Sequence, residues 1–194
     1  MKNILIVSDG IPGHFNQSNG VALLLSNKHS LNKRIIDLQF KSHSLRGFIT
    51  IFSRFMMRLP GPLTAKITSL LYKKIDTRGF DLIIAAGGKT APYTAALRIL
   101  NKIPVIQLGS PRGLHSSLFN ALVTVERYHE DSSNIIASIT PSLYSPEVCD
   151  QAAKEKGLSD HLLFLIGGEG IGYSYKEAEW KDLINSIKQI YKTT

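Results

Sequence analysis

Seven short runs of continuous apolar, β-branched-rich sequence recur along the chain: Asn3–Ser8, Arg34–Leu38, Asp81–Ala86, Pro104–Leu108, Asn120–Val125, Asn134–Ile139 and Leu162–Ile166. A strand made from such a run, apolar throughout rather than alternating, has two faces to hide from water. A parallel sheet covered by helices on both sides meets that demand. Helix-like stretches do lie between several of the runs. Val21, Leu24 and Leu25 share one face, and Ala96, Leu97 and Leu100 share another in a segment opened by Thr90 and Pro92. Proline is tolerated there because an N–H in a first helical turn has no intrahelical partner. Near the end, Ser174 and Glu177 have the spacing of a capping box, and Trp180, Leu183, Ile184, Ile187, Ile190 and Tyr191 continue as one stripe. The alternation predicts an α/β fold, a doubly wound, Rossmann-like parallel sheet with a C-terminal βα unit. A boundary is expected within Tyr144–Asp160. Residues 1–150 then form one domain, and 151–194 form a linker and a βα unit, either the start of a second domain or an addition to the first.

A hydrophobic content of 43% and a charged content of 20% suit a folded globular chain and exclude global disorder. The single cysteine, Cys149, excludes an intrachain disulfide framework and fits a reducing compartment. No Cys/His cluster has metal-ligand spacing, so no metal and no cofactor is expected. The opening run is too short for a signal-peptide core, and no stretch approaches the roughly 20 apolar residues of a membrane-spanning helix. A cytoplasmic location is expected. The net charge of +8 favours phosphate-bearing ligands, acidic lipid or nucleic acid without choosing among them.

Residues 45–74 read differently. Leu45, Phe48, Ile49, Phe52, Phe55, Met56 and Leu59 make a wide apolar stripe, with Arg46, Arg54 and Arg58 off it. Pro60-Gly61-Pro62 breaks the helix, and a second follows with Leu63, Ile67, Leu70 and Leu71 inward and Lys66, Lys73 and Lys74 outward. Two accounts stand. The helices are core elements with solvated basic faces, or they form a basic, aromatic-bearing surface that docks on an anionic membrane or a lipid-linked substrate.

In an open parallel sheet, ligands bind beyond the carboxyl ends of the strands. The residues that follow the runs are glycine-bearing and polar almost every time. Ser8, Asp9, Gly10, Gly13 and His14 follow the first, and Gly87, Gly88, Lys89 and Thr90 follow the third. Gly109, Ser110 and Arg112 follow the fourth; Glu126, Arg127, Tyr128 and His129 follow the fifth; Gly167, Gly168, Glu169 and Gly170 follow the last. Ala86–Pro92 is no nucleotide-binding P-loop, because Ile83 stands where that motif needs its first glycine. It reads as a glycine turn feeding a helix N-terminus, with Lys89 beside it. Gly10 and Gly13 lack the spacing of a dinucleotide fingerprint. Neither a Ser-His-Asp order nor an H-E-x-x-H pattern occurs. Among six histidines, His14 is the favoured general base, since it lies between Gly13 and the amides of Asn16 and Gln17, just ahead of a predicted helix.

Several segments, in order, carry a resemblance: D-G-x-x-G-H-x-N-Q at Asp9–Gln17, A-G-G-K-T-A-P at Ala86–Pro92, P-R at Pro111–Arg112, F-N-A-L-V at Phe119–Val123, N-I-I-A-S-I-T at Asn134–Thr140, S-P-E at Ser145–Glu147 and L-I-G-G at Leu165–Gly168. The sequence resembles a bacterial and plant family of glycosyltransferases named after a plant mitochondrial fission protein. It departs from the family pattern at Gly88-Lys89-Thr90, where an arginine-rich turn is usual, and at His129-Glu130, where His-Asp is usual. The resemblance implies a GT-B fold of two Rossmann-like domains with the nucleotide-sugar pocket mainly in the second. This chain then reads as the acceptor-side domain plus one βα unit of the donor side. His14 is implied as the base for the acceptor hydroxyl, with Asp9 in reserve. Gly10, Gly13, Asn16, Gln17, Gly87, Gly88, Lys89, Thr90 and Arg112 line the substrate cleft, and Gly167 and Gly168 face the donor diphosphate. Expected partners are a nucleotide-sugar, an acceptor, a partner chain or second copy that covers the Trp180 stripe, and an anionic surface at the inner membrane met by residues 45–74; no nucleic acid is expected. The rival class is a non-catalytic adaptor or acceptor-recruiting subunit that keeps the fold.

Overall fold

Six of the seven apolar runs form strands: β1 (Lys2–Ser8), β2 (Leu31–Asp37), β3 (Leu82–Ala86), β4 (Val105–Leu108), β5 (Ala121–Thr124) and β6 (Asn134–Ile136). The computed structural model describes residues 1–157, 166 and 174–193. The seventh run lies outside the described residues except for Ile166, which is in no strand or helix. All five strand pairings are parallel, in the order β2-β1-β3-β4-β5-β6. The fold is the doubly wound α/β sheet that the alternation of runs predicts.

The pleat of β1 divides the core in two. Leu5 and Val7 point to the face covered by α2 (Arg46–Met57), α3 (Pro62–Leu70) and α4 (Ala91–Asn101), where they join Ile83, Tyr93 and Leu97. Ile4 and Ile6 point to the face covered by α1 (Pro12–Ser26), with Val21, Ala22 and Ile84. Only the inner strands are covered on both sides. The edge strands β2 and β6 leave Ile35, Ile135 and Ile136 exposed.

The helices keep their places but not every expected face. In α1 the inward row is Ser18, Val21, Ala22 and Leu25, and Leu24 is exposed. In α4, Ala96 and Leu97 are buried as expected, whereas Leu100 is exposed and Ile99 packs on the core. The larger correction concerns α2 and α3. They pack mainly on each other and on α4, so only a narrow row is covered: Ile49, Ser53 and Met57 from α2, Ala65 and Thr68 from α3. Phe52 and Met56 are half-buried. Leu45, Phe48, Phe55, Leu59, Leu63 and Leu70 of the expected stripes face outward, against the core account, and Ile51 is exposed beside them.

Two compact units divide the chain, Met1–Cys149, which holds the whole sheet, and Asp150–Thr194. In the second, α5 (Glu177–Thr193) starts two residues later than a cap at Ser174 suggests. The Glu179 carboxylate accepts from the Lys176 N–H at 2.7 Å, which makes Lys176 the N-cap and Glu179 the reciprocal N3 residue. Within the same unit the rings of Tyr175 and Trp180 lie 4.8 Å apart.

One contact fixes how closely α1 approaches the segment after β6. A Cβ on Gly20 would lie 2.6 Å from the Ser142 backbone N, and backbone does not yield as a flexible side chain does. Gly20→Ala is expected to lower the unfolding free energy by about 1–3 kcal/mol, as overpacking does. A denaturant titration that gives an unchanged midpoint would contradict this packing.

Candidate functional site

The strand order reverses direction at β1. Its neighbours β2 and β3 lie on opposite sides, so the crevice between the carboxyl ends of β1 and β3 is the topological switch point. Asp9 leaves β1 there, and Gly87 leaves β3. Helix α1 begins only three residues after Asp9, because Pro12 supplies a φ already suited to the first turn. His14 therefore sits on the first turn of α1, not in a loop ahead of it, and Asn16 and Gln17 follow on the same helix.

Asp9 is the anchor of the site. Its side chain is 1% exposed, and Oδ1 accepts from the Ile11 N–H at 3.2 Å. The His14 imidazole, 31% exposed, places Nδ1 at 3.0 and 3.1 Å from the two carboxylate oxygens. A carboxylate only accepts, so Nδ1–H donates, and in the neutral imidazole this tautomer leaves the lone pair on Nε2. The pair thus presents an oriented imidazole base backed by a buried acid. Gly87 closes the other side of the ring. It has φ +86°, and a Cβ there would fall 2.3 Å from His14 Cε1 and Nδ1.

The Gly87 turn is held from beneath by a buried polar network. Gln107, on β4 and fully buried, donates from Nε2 to the Gly87 carbonyl at 3.1 Å and to Thr90 Oγ1 at 3.2 Å. Its Oε1 accepts from Thr94 Oγ1 at 3.1 Å. The Thr90 hydroxyl is directed at the Gly87 and Ala86 carbonyls, at 2.8 and 3.0 Å. Thr90 is therefore part of the support and does not line the cleft. Gln107 was missed in the sequence, although an amide inside the apolar run V-I-Q-L is a visible signal of a buried polar partner.

Over the same crevice lie arginines from α2. Arg54 donates from Nη2 to the Gly88 carbonyl at 3.1 Å, and its buried Nε has no hydrogen-bond partner among the described residues. The Arg112 side chain packs on Gly88 from the other side, and its backbone has φ 53°, a conformation uncommon without glycine. Burial, and then the neighbouring charge of Arg112, lower the pKa of Arg54 below the usual guanidinium range. Arg58 reaches Gly113. The outward orientation expected for Arg54 is thus overturned, while Arg58, the residue that caps α2, stays exposed as it reaches Gly113. The two arginines step along one ridge of α2 that faces the sheet's functional edge, while the apolar stripe faces away.

Beside this edge opens a cavity of about 840 Å³, lined by Asp9, Leu38, Gln39, Phe40, Lys41, His43, Arg46, Gly47, Thr50, Ile51, Arg54, Lys73 and Lys89. Its far wall is a short antiparallel contact. Lys73 N–H donates to the Gln39 carbonyl at 2.8 Å, Lys41 N–H to the Leu71 carbonyl at 3.1 Å, and Phe40 bridges Tyr72. Tyr93 of α4 ties that wall down. Its hydroxyl accepts from Ile75 N–H and donates to the Lys73 carbonyl, both at 3.1 Å.

Of the residues singled out from sequence, the fold brings Asp9, His14, Gly87, Gly88, Lys89 and Arg112 to one crevice. Gly10 and Gly13 are exposed, with open space where a Cβ would stand. Asn16 donates to Ser142 Oγ at 3.3 Å, and Gln17 lines a separate cleft of about 60 Å³ with Gly109 and Thr140. Gln17 thus lies at the carboxyl ends of β4 and β5, and Asn16 meets the segment after β6. Gly167 and Gly168 lie outside the described residues.

A second cluster was not foreseen. His115, His129 and Asp131 bring one potential ligand atom each within 4.8 Å of one another. Each is already engaged by protein. Asp131 accepts from Ser116 and Ser133, whose hydrogen bonds hold its carboxyl down at about 2. His129 Nε2–H donates to the Leu114 carbonyl at 3.2 Å, and His115 Nδ1 accepts from the Ser117 N–H at 3.3 Å. The cluster pins the loop after β4 to the loop after β5.

Comparison with known proteins gives one family. The family model described as Mitochondrial fission ELM1 matches residues 12–194. No curated protein and no solved structure matches the chain.

Gly87→Ala is expected to push the His14 ring off Asp9 as well as strain the turn. Gly10→Ala is the control, because Gly10 has a similar φ of +79° with nothing within 4 Å of its would-be Cβ. Both variants should lose about 1–2 kcal/mol from the left-handed backbone. Only Gly87→Ala should shift the His14 Nδ1 resonance in imidazole ¹⁵N spectra, and equal shifts in both would remove the contact from the account.

Proposed function

The chain belongs to the mitochondrial fission ELM1 family, and from that premise we propose that it works as a glycosyltransferase of GT-B type, its first unit serving the acceptor. The observation that carries this reading is the His14–Asp9 pair at the switch point. The acceptor hydroxyl meets His14 Nε2 in the crevice and gives up its proton there as the oxygen attacks the anomeric carbon of a nucleotide-diphospho-sugar. The new glycosidic C–O bond forms as the bond to the diphosphate breaks, and the nucleoside diphosphate leaves with the electron pair. Asp9 orients the ring through Nδ1 and stabilises the imidazolium that forms, the role of a buried carboxylate behind a histidine base. Arg54, Arg112 and Lys89 supply positive charge around the reacting groups, and Gly167 and Gly168 are assigned to the donor diphosphate.

His14→Ala is expected to cut turnover by about 10²–10⁴-fold on whichever member of a nucleotide-sugar panel supports transfer, with the folded state intact. Asp9→Asn should lose rate with little change in KM. An unchanged rate per folded molecule in His14→Ala returns the histidine to a packing role.

The exposed face of α2 and α3 supports a membrane-seated form of the same reading. Phe48, Ile51, Phe55, Leu59 and Leu63 are each 61–73% exposed, and the ring of Phe48 stacks on Phe52 at 5.7 Å. Patches of this kind are unusual on a free surface. Lys66, exposed on α3 between Leu63 and Leu70, adds positive charge that suits an anionic bilayer. No helix among the described residues is long and apolar enough to cross a membrane, so this is seating at the surface. In vesicle co-sedimentation, the Phe48→Ser/Phe55→Ser double variant is expected to weaken binding to anionic vesicles about tenfold or more, since each buried ring contributes roughly 1.5–3 kcal/mol. Equal sedimentation of both proteins would leave the patch for a protein partner. Vesicle binding without turnover on any donor would favour the adaptor class.

A further inference from the structure

From Leu38 to Ile75 the chain has seven lysines and arginines and no acid, which leaves 16 cations against 15 acids in the rest of the molecule. Nearly all of the +8 charge therefore belongs to this one segment. The fold gathers part of that charge at one place: Lys41, Arg46, Arg54 and Lys73 line one open cavity together with Lys89 from the turn after β3, Arg54 partly buried and the other four exposed at its rim. Among the described residues none of these five is in an ion pair within 4 Å. The one acid in the lining, Asp9, spends its carboxylate on His14 and the Ile11 N–H. Five cations gathered round a concave space repel one another, and Arg54 also carries a buried, unpartnered Nε. An anion shared among them relieves that repulsion and gives the Arg54 Nε an acceptor.

We infer that this cavity is a binding site for a phosphate-bearing ligand, of diphosphate size or larger, held by Arg54, Lys41, Lys73 and Arg46. The volume, about 840 Å³, exceeds what a phosphate fills and lies in the range of small-molecule sites, so it also admits the group that the phosphate carries. Gln39 and Thr50 offer hydrogen bonds to that group, and Phe40 and Leu38 an apolar wall. Asp9 belongs both to the cavity lining and to the His14 pair, so a ligand anchored by its phosphates extends toward the imidazole. The inference rests on the proposed reading in one respect, that this ligand is the acceptor; the phosphate site itself stands on the charge and the cavity. Its source is either a soluble phosphate ester or a lipid headgroup, since Ile51 at the cavity also belongs to the exposed apolar stripe of α2.

The test is direct binding. The full chain is titrated calorimetrically with inorganic pyrophosphate at constant ionic strength, and in parallel floated with phosphatidylcholine vesicles with and without phosphatidate. Lys41→Gln and Arg54→Gln are expected to weaken binding about tenfold or more each, as loss of a charge-assisted hydrogen bond does. Lys28→Gln, an exposed cation outside both the cavity and the basic segment, should change it little. Pyrophosphate binding with that dependence supports a soluble ligand; the same dependence seen only on phosphatidate vesicles supports a lipid headgroup. Equal loss in Lys28→Gln, or no binding in either arm, overturns the site. Should Arg54→Gln fail to fold, the exposed Lys41→Gln decides. Binding preserved in His14→Ala, whatever becomes of turnover, keeps this result separate from the assignment of the base.

Discussion

The functional edge depends on a missing side chain. Gly87 lets the β3 turn approach the His14 ring more closely than any Cβ would permit. The ring is then confined between that turn and the buried carboxylate of Asp9. Orientation of the imidazole thus comes from three separate pieces of chain: the end of β1, the first turn of α1 and the end of β3. Gln107 extends the constraint to β4 by holding the Gly87 carbonyl. The Asp9 side chain and Gln107 are buried and hydrogen-bonded, and a polar network of this kind is costly to leave half-satisfied.

The same economy of space accounts for the reversed helix α2. Small residues on α4, Ala91, Ala95 and Ala96, are fully buried, and Tyr72 and Tyr93 stack at 4.6 Å beside them. Little volume remains for a wide aromatic stripe. A narrow row of Ile49, Ser53 and Met57 fits it instead. Arg54 and Arg58 are then placed over the glycine turns, where carbonyl oxygens and the approach to the crevice offer them better company than apolar side chains could. The aromatic residues are left outside. Amphipathicity told correctly that α2 is a helix with two unlike faces, but it could not say which face the protein would keep.

Much of the architecture was legible from local pattern. Continuous β-branched runs located all six described strands, most directly the inner ones, whose two covered faces favour apolar residues. The glycine-bearing ends of β1 and β3 marked the crevice for the same reason that any parallel sheet puts its ligands there. Asp9 and His14 were found because a carboxylate and an imidazole beside a strand end are chemically conspicuous. The edge strands were less well read, because exposure of Ile35 and Ile136 depends on strand order, which no single run encodes.

By itself, then, the sequence determined the fold class, the helix and strand sequence along the chain, the concentration of positive charge in residues 38–75 and the residues from which a base could be drawn. Tertiary structure alone decided that Asp9 backs His14, that Thr90 is a support, that Asn16 and Gln17 meet other segments, and that Arg54 turns in while the aromatics turn out. The physical reason is common to all four. Periodicity and residue type specify what a segment buries on average, over distances of one or two helical turns. Which group meets which across the β1–β3 crevice is set by non-local packing between segments some 70 to 80 residues apart, from the hydrogen bond between Asn3 and Asp81 to the contact of His14 with Gly87.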